Sequence, residues 1–231
     1  MLRIMSESKR RVEIEVEGGA IPTEVLGPQD AGNLPGMIVI PSIFGPAPDL
    51  LAGLGELADR ALITVPDPFW RVGTGAVAYS DHSTARARMA GFDVAKCTDD
   101  LRAVLDWTRA HCNGRVAGLG ICFGGPFVLR FAGEAALDAV VTWHGSRMEN
   151  FLKRASETQC PLRLHFGADD PVSPPEAIEA IRKAFAQHPD LEIVVHPGCV
   201  HGYSHDGPAY HAGAARAGLD AAAELLARLA A

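Results

Sequence analysis

The 231-residue chain has no surplus of positive charge: 21 Lys and Arg against 28 Asp and Glu give a formal charge of −7, and the basic residues are scattered. Without a basic face there is no electrostatic footprint for nucleic acid. Long apolar runs are also missing. No stretch approaches the roughly 20 residues of a membrane span, and the N-terminal "MLRIMSESKRRVEIEV" lacks the apolar core of a secretory signal. These absences predict no nucleic-acid partner, no membrane, and cytoplasmic residence as the default. The cysteines, Cys97, Cys112, Cys122, Cys160 and Cys199, are odd in number and include no C-x-x-C pair. That pattern argues against a disulfide framework or a zinc knuckle. Each cysteine is expected to be a small buried apolar residue unless its surroundings say otherwise.

What is present is ordinary globular composition, 48% apolar and 21% charged. No linker or repeat divides the chain, so one domain over 1–231 is expected. Residues 11–16, "RVEIEV", alternate charged and apolar side chains, and "TEV" shortly after reads as the return strand of an antiparallel edge hairpin. Six short apolar runs follow: "GMIVI", "ALITV", "RVAGL", "LDAVVTW", "PLRLHF" and "LEIVVH". Such runs suit strands covered on both faces. Between them lie helical patterns, from about Thr98 to His111, over "PPEAIEAIRKAFAQ", and in the last twenty residues. Strands alternating with helices predict an α/β fold, a doubly wound and mainly parallel sheet with helices on both faces. The irregular stretch from about Pro66 to Gly91 is a candidate substrate cap, because long loops in compact domains tend to be functional.

One segment carries the chemistry. "GLGICFGG", Gly118 to Gly125, puts a cysteine among glycines after a strand and before a helix. Gly118, Gly120 and Gly124 with downstream Asp138 would allow a dinucleotide-binding oxidoreductase, but Asp138 precedes its strand rather than ending it, where a ribose-binding acid belongs. G-x-C-x-G is alternatively the cysteine form of the nucleophile elbow, in which flanking glycines relieve the crowding of a strained strand-to-helix turn. A helix N-terminus there favours thiolate over thiol, and the amide of Phe123 points where an oxyanion would form. The elbow requires an acid and then a histidine later in the chain. "GADDPVSP" supplies Asp170 at one strand end, with Asp169 as a turn residue, and "PGCVHGYS" supplies His201 at the next.

In these motifs the sequence resembles the dienelactone hydrolase family of the α/β-hydrolase fold. The resemblance rests on "IPSIFGPAP", "VPDPFWR", "GLGICFGG", "FGADDPVSP" and "HPGCVHGYSHDGPAYHAGAA". It implies Cys122 as nucleophile, Asp170 as the orienting acid and His201 as the base, with the amides of Ile43 and Phe123 as the oxyanion hole. It also implies a thioester acyl-enzyme, a small lactone or ester substrate and no cofactor. Two positions depart from the pattern. Ser42 stands where the family has a glutamate that holds the resting thiol, and His205 stands where it has a carboxylate-binding arginine. A second such arginine is matched by Arg86 or Arg88. The loss of the glutamate predicts that Cys122 and His201 rest as a thiolate–imidazolium pair.

Other candidate pocket residues are Phe44, Trp70 and Trp143, with His144 beside the last. Two further readings stay open from the residues alone. His196, Cys199, His201, His205 and His211 crowd one region and suggest a metal site, although no shared helical face supports it, and no metal is expected. The fold would also serve a protein that binds a small molecule without turning it over. A monomer or small homo-oligomer is expected.

Overall fold

The computed structural model describes residues 9–231; residues 1–8, part of the stretch read above for a leader, lie outside the described residues. The edge hairpin is β1 (Lys9–Val16) and β2 (Gly19–Leu26), paired antiparallel with Val12 opposite Thr23. Six further strands follow: β3 (Gly36–Ile40), β4 (Leu62–Pro66), β5 (Val116–Ile121), β6 (Ala139–Trp143), β7 (Leu162–Gly167) and β8 (Leu191–His196). They join the hairpin in one eight-stranded sheet of order β1-β2-β4-β3-β5-β6-β7-β8. All neighbours from β4 to β8 run parallel, whereas β2 lies antiparallel to β4.

Strand periodicity divides the core into two layers. Ile38 and Ile40 of β3 face one side, where they join Leu101, Val104 and Leu105 of α3 (Val94–Ala110), Phe127 and Phe131 of α4 (Gly125–Gly133) and Ile181 of α5 (Pro175–Ala184). Met37 and Val39 face the other side, with Leu51 and Leu54 of α1 (Pro48–Leu54) and Leu219, Leu225 and Leu226 of α6 (Ala212–Ala230). Alternation along a strand thus sends successive side chains to opposite helical layers.

Three expectations change. The helix expected from Thr98 starts at Val94, because the Asp93 carboxylate accepts the amide hydrogens of Ala95 and Lys96 and caps it; Thr98 lies inside, its hydroxyl donating to the Val94 carbonyl. The final strand β8 is an edge, so five of its six residues are half-buried or exposed rather than covered. Within 66–91, residues 82–89 form a helix, α2 (His82–Met89), capped by Asp81 accepting from the Thr84 amide at 3.0 Å.

The order β4-β3-β5 has a consequence for the site. The chain winds outward in opposite directions from β3 and β5, which are paired with Ile40 beside Gly120. Loops leaving the carboxyl ends of these two strands therefore meet over a crevice, the usual place for ligands in an open α/β sheet.

Candidate active site

Cys122 follows β5 directly and opens a 3-10 turn, Cys122–Gly124, that runs into α4. Its φ of +51° is left-handed, a costly conformation for a residue with a Cβ. The neighbouring glycines make it attainable. A Cβ on Gly120 would sit 2.6 Å from the Gly124 carbonyl oxygen, and one on Gly124 would overlap the Ile40 carbonyl. Small residues on both sides are thus a steric requirement of the turn.

Asp170 leaves the end of β7 and His201 follows the end of β8. His201 Nε2 lies 3.1 Å from Cys122 Sγ, and its Nδ1 lies 2.7 Å from Asp170 Oδ2. The other carboxylate oxygen of Asp170 accepts from the Val172 amide at 2.8 Å, so the acid closes its own turn while it holds the imidazole. Burial would push the Cys122 thiol up. The hydrogen bond and charge of His201, with the Ser146 hydroxyl and Phe123 amide, outweigh that and bring it below its ordinary value. His201 is moved the opposite way: burial disfavours its charge, but the bonds to Asp170 and Cys122 prevail and raise it. Both shifts run toward the charged forms, the direction in which a thiolate–imidazolium pair is favoured.

The sulfur opens into a cavity of about 750 Å³ whose wall includes Ile43, Phe44, Phe123, Phe127, Phe151, Arg86, Arg147 and His205. The stretch 66–91 contributes Tyr79, His82, Arg86 and Met89 to that wall. Tyr79 donates to both carboxylate oxygens of Asp49 at 2.9 and 3.0 Å and stacks on His205 at 4.5 Å, which ties the cap to the histidine loop. Burial holds His205 down at about 4, so the ring that replaces the expected arginine carries no charge at neutral pH.

Several residues named from the sequence lie elsewhere. Ser42 is buried and does not line the cavity; its Oγ accepts from the Phe44 amide at 3.3 Å and shapes the Ile43 loop. Arg88 is buried under α2 and donates to the carbonyls of Gly73, Gly75 and Ile43 at 2.9, 2.8 and 2.7 Å. Trp143 packs into the core against Gly218 of α6, and Trp70 donates its indole N–H to Asp100 at 2.9 Å. Two aromatics expected at the pocket thus belong to the scaffold. Asp138 accepts from the Val116 amide at 2.8 Å and from Arg109 at 3.0 Å, a structural brace rather than a ribose acceptor.

The crowd of histidines also separates. His196 pairs with His165 at 3.1 Å, and His211 caps α6 by accepting from the Ala214 amide at 3.1 Å. Cys199 sits in a small cluster with Tyr203 and Ala214. Among the described residues, the donors close enough to share a metal ion are instead those of Cys122, His144 and His201, within 4.8 Å of one another. His144 is fully buried at φ +38°, held neutral chiefly by burial, and its Nε2 lies 2.8 Å from Ser204 Oγ. Sequence reasoning missed Ser146, whose Oγ lies 3.2 Å from Cys122 Sγ. It missed Arg147 as well, which lines the cavity from a left-handed backbone at φ +53°.

A nucleophile elbow after a central strand, with an acid and a histidine on later strand ends of a mostly parallel sheet, defines an α/β hydrolase. The chain belongs to the dienelactone hydrolase family, whose family model matches residues 21–230. A carboxymethylenebutenolidase of Pseudomonas sp. (strain P51) is 30% identical over 189 residues, 79% of each chain. Among solved structures, a candidate dienelactone hydrolase from Klebsiella pneumoniae subsp. pneumoniae MGH 78578 superposes with a TM-score of 0.81 at 24% identity, covering 95% of this chain and 98% of that one. A dienelactone hydrolase-like promiscuous phosphotriesterase, P91, from metagenomic libraries gives 0.79 at 26% identity, covering 96% and 98%. No helix among the described residues is long and apolar enough to cross a membrane.

Proposed function

We propose that the chain hydrolyses a small carboxylic ester or lactone through Cys122, His201 and Asp170. The observation that carries this reading is the unbroken path from Asp170 Oδ2 to His201 Nδ1 at 2.7 Å and from His201 Nε2 to Cys122 Sγ at 3.1 Å, opening on the cavity floor. The Cys122 thiolate attacks the carbonyl carbon, a C–S bond forms, and the carbonyl electron pair moves to oxygen. The amides of Ile43 and Phe123, residues that line the same cavity as Cys122, receive that oxyanion. Collapse expels the alcohol oxygen, which takes the proton from His201 Nε2 and leaves a thioester. The neutral imidazole then removes a proton from water, the water oxygen attacks the thioester, and thiolate departs. Asp170 fixes the tautomer in which Nε2 faces the reaction. With a lactone the alcohol remains attached, and the product is a hydroxy acid.

The cavity wall supports a substrate with an apolar body, held among Phe44, Phe123, Phe127 and Phe151, and an acidic end near Arg86 or Arg147. The test is a panel of lactones, aryl esters and thioesters, assayed with the wild type and Cys122→Ala, with mass spectrometry of the quenched wild type. A Cys122 acyl adduct and loss of turnover in the variant are expected. Equal rates for both proteins on every substrate would overturn the assignment.

A further inference from the structure

Ser146 belongs to none of the motifs above, yet it reaches both reacting groups. Its Oγ lies 3.2 Å from Cys122 Sγ and 3.5 Å from His201 Nε2. The backbone around it is fixed from several directions. The His144 amide donates to the His165 carbonyl at 2.9 Å, and the Ser173 hydroxyl donates to the Gly145 carbonyl at 2.8 Å. Gly145 admits no side chain, since a Cβ would overlap the Met148 sulfur. The Ser146 amide donates to the carbonyl of Cys122 itself at 2.9 Å. A hydroxyl at this position is thus anchored to the same peptide as the sulfur.

We propose that Ser146 is a positioning residue that donates its hydroxyl proton to the Cys122 thiolate and holds the resting pair with His201 in one geometry. The inference rests on the nucleophile and base assigned above. A thiolate has no proton to give, so the hydroxyl must be the donor. Ser42 does not serve this role: it does not line the cavity, and the hydroxyl within reach of Cys122 Sγ is that of Ser146. The resemblance implies a glutamate at position 42 that would hold a resting thiol by accepting a hydrogen bond from its S–H; here a hydroxyl from a different loop donates to a thiolate. The two arrangements favour opposite protonation states of the sulfur.

The arrangement has a kinetic signature. A donated hydrogen bond favours the thiolate but lowers its intrinsic nucleophilicity. Once sulfur bonds to carbon its charge is gone, and the hydroxyl is released toward His201 Nε2. Loss of the hydroxyl should therefore reduce reactivity where the thiol titrates and not where it is fully ionised. A side chain that only packs would not separate the two regimes.

The experiment is iodoacetamide alkylation of Cys122 across pH, read by peptide mass spectrometry, in the intact wild type, Ser146→Ala, Ser146→Gly and Ser146→Thr. Ser146→Ala is expected to move the midpoint upward, slowing alkylation about tenfold at a pH below both midpoints if a charge-assisted bond of ordinary strength is lost. Its alkaline plateau should equal or exceed that of the wild type, and Ser146→Thr should restore the midpoint. Circular dichroism checks folding, and Ser146→Gly supplies a second hydroxyl-free protein should alanine not fold. A midpoint unmoved in the folded hydroxyl-free variants overturns the role of Ser146 alone, as does a midpoint that Ser146→Thr displaces equally. A wild type whose Cys122 titrates as a free thiol overturns the resting thiolate–imidazolium pair and this inference with it, whereas the nucleophile assignment stands or falls separately on the Cys122→Ala substrate panel.

Discussion

Replacing Arg88 with methionine should destabilise the protein by about 3–5 kcal/mol, while replacing Arg86, two residues away, should leave stability unchanged. The guanidinium of Arg88 is buried, lies 4.5 Å over the Phe69 ring and donates to the Gly73, Gly75 and Ile43 carbonyls at 2.9, 2.8 and 2.7 Å. Hydrogen bonds to a charged partner contribute about 1.5–3 kcal/mol each, so the three together would reach the top of the stated range or exceed it before desolvation. Burial of the cation, which lowers its pKa despite the attraction of Asp67, offsets part of that gain. Methionine keeps most of the stem, so the residual loss reports the polar contacts. At roughly 2–4 °C per kcal/mol for a chain of this size, the melting midpoint should fall by about 10 °C. Turnover should fall as well, because the Ile43 loop carries a proposed oxyanion donor, and loss of such a donor reduces kcat by about 10²–10³. Arg86, exposed and on the cavity wall, should instead raise KM for an anionic ester relative to a neutral one of the same shape. Urea unfolding with steady-state kinetics on such an ester pair checks both arms. The reasoning fails if Arg88→Met retains wild-type stability within about 0.5 kcal/mol, or raises only KM for the anionic ester.

Asp170→Asn removes the charge behind His201 and should slow Cys122 alkylation at neutral pH by about 10–100-fold, with hydrolysis falling in parallel; an unchanged pH profile would contradict it. Acid stability follows from histidines buried neutral. Burial, with repulsion from neighbouring positive groups, holds His165 at about 4; His205 is likewise held at about 4, chiefly by burial, against an ordinary 6.5. The unfolded chain then binds more protons between these values, so their contribution is complete above pH 6.5 and is lost as pH falls toward 4. His201, raised rather than lowered, makes the opposite contribution, which persists at low pH and fades as pH rises through its folded value. Urea unfolding measured through pH 4–7 should show this decline, and His165→Gln should reduce its slope; a flat profile in the wild type would refute it.

The central features of fold and site were legible because each left a local mark. Glycines on both sides of Cys122 report a backbone clash that no other residue avoids, and the strand runs report burial on both faces. Asp170 and His201 stood at strand ends, where chain order alone locates them. Features that depend on three-dimensional neighbours left no such mark. Arg86 and Arg88 look interchangeable in sequence, but at helical spacing they face different directions, one to the cavity and one to buried carbonyls. Trp143 resembles a pocket aromatic until Gly218, 75 positions later in number, opens the space it fills. Ser146 meets the sulfur only because β6 pairs with β5, placing Trp143 beside Ile121 just before both loops begin. The start of α3 was readable in Asp93, whose carboxylate caps the helix one turn before Thr98.

The cavity wall and the reacting groups draw on different parts of the chain. Cys122, Asp170 and His201 hang from strand ends locked into the sheet, whereas Tyr79, His82, Arg86 and Met89 come from the 66–91 excursion and Phe151 from the segment after β6. Changes in the second group alter the shape offered to a substrate without touching the sheet. Substitutions at His82, Arg86, Met89 or Phe151 would therefore reshape the cavity and leave the strand ends that carry Cys122, Asp170 and His201 in place, whereas Tyr79 is tied by its stacking on His205 to the histidine loop. A library confined to positions 82, 86, 89 and 151 would separate the shape of the cavity from the groups on its floor.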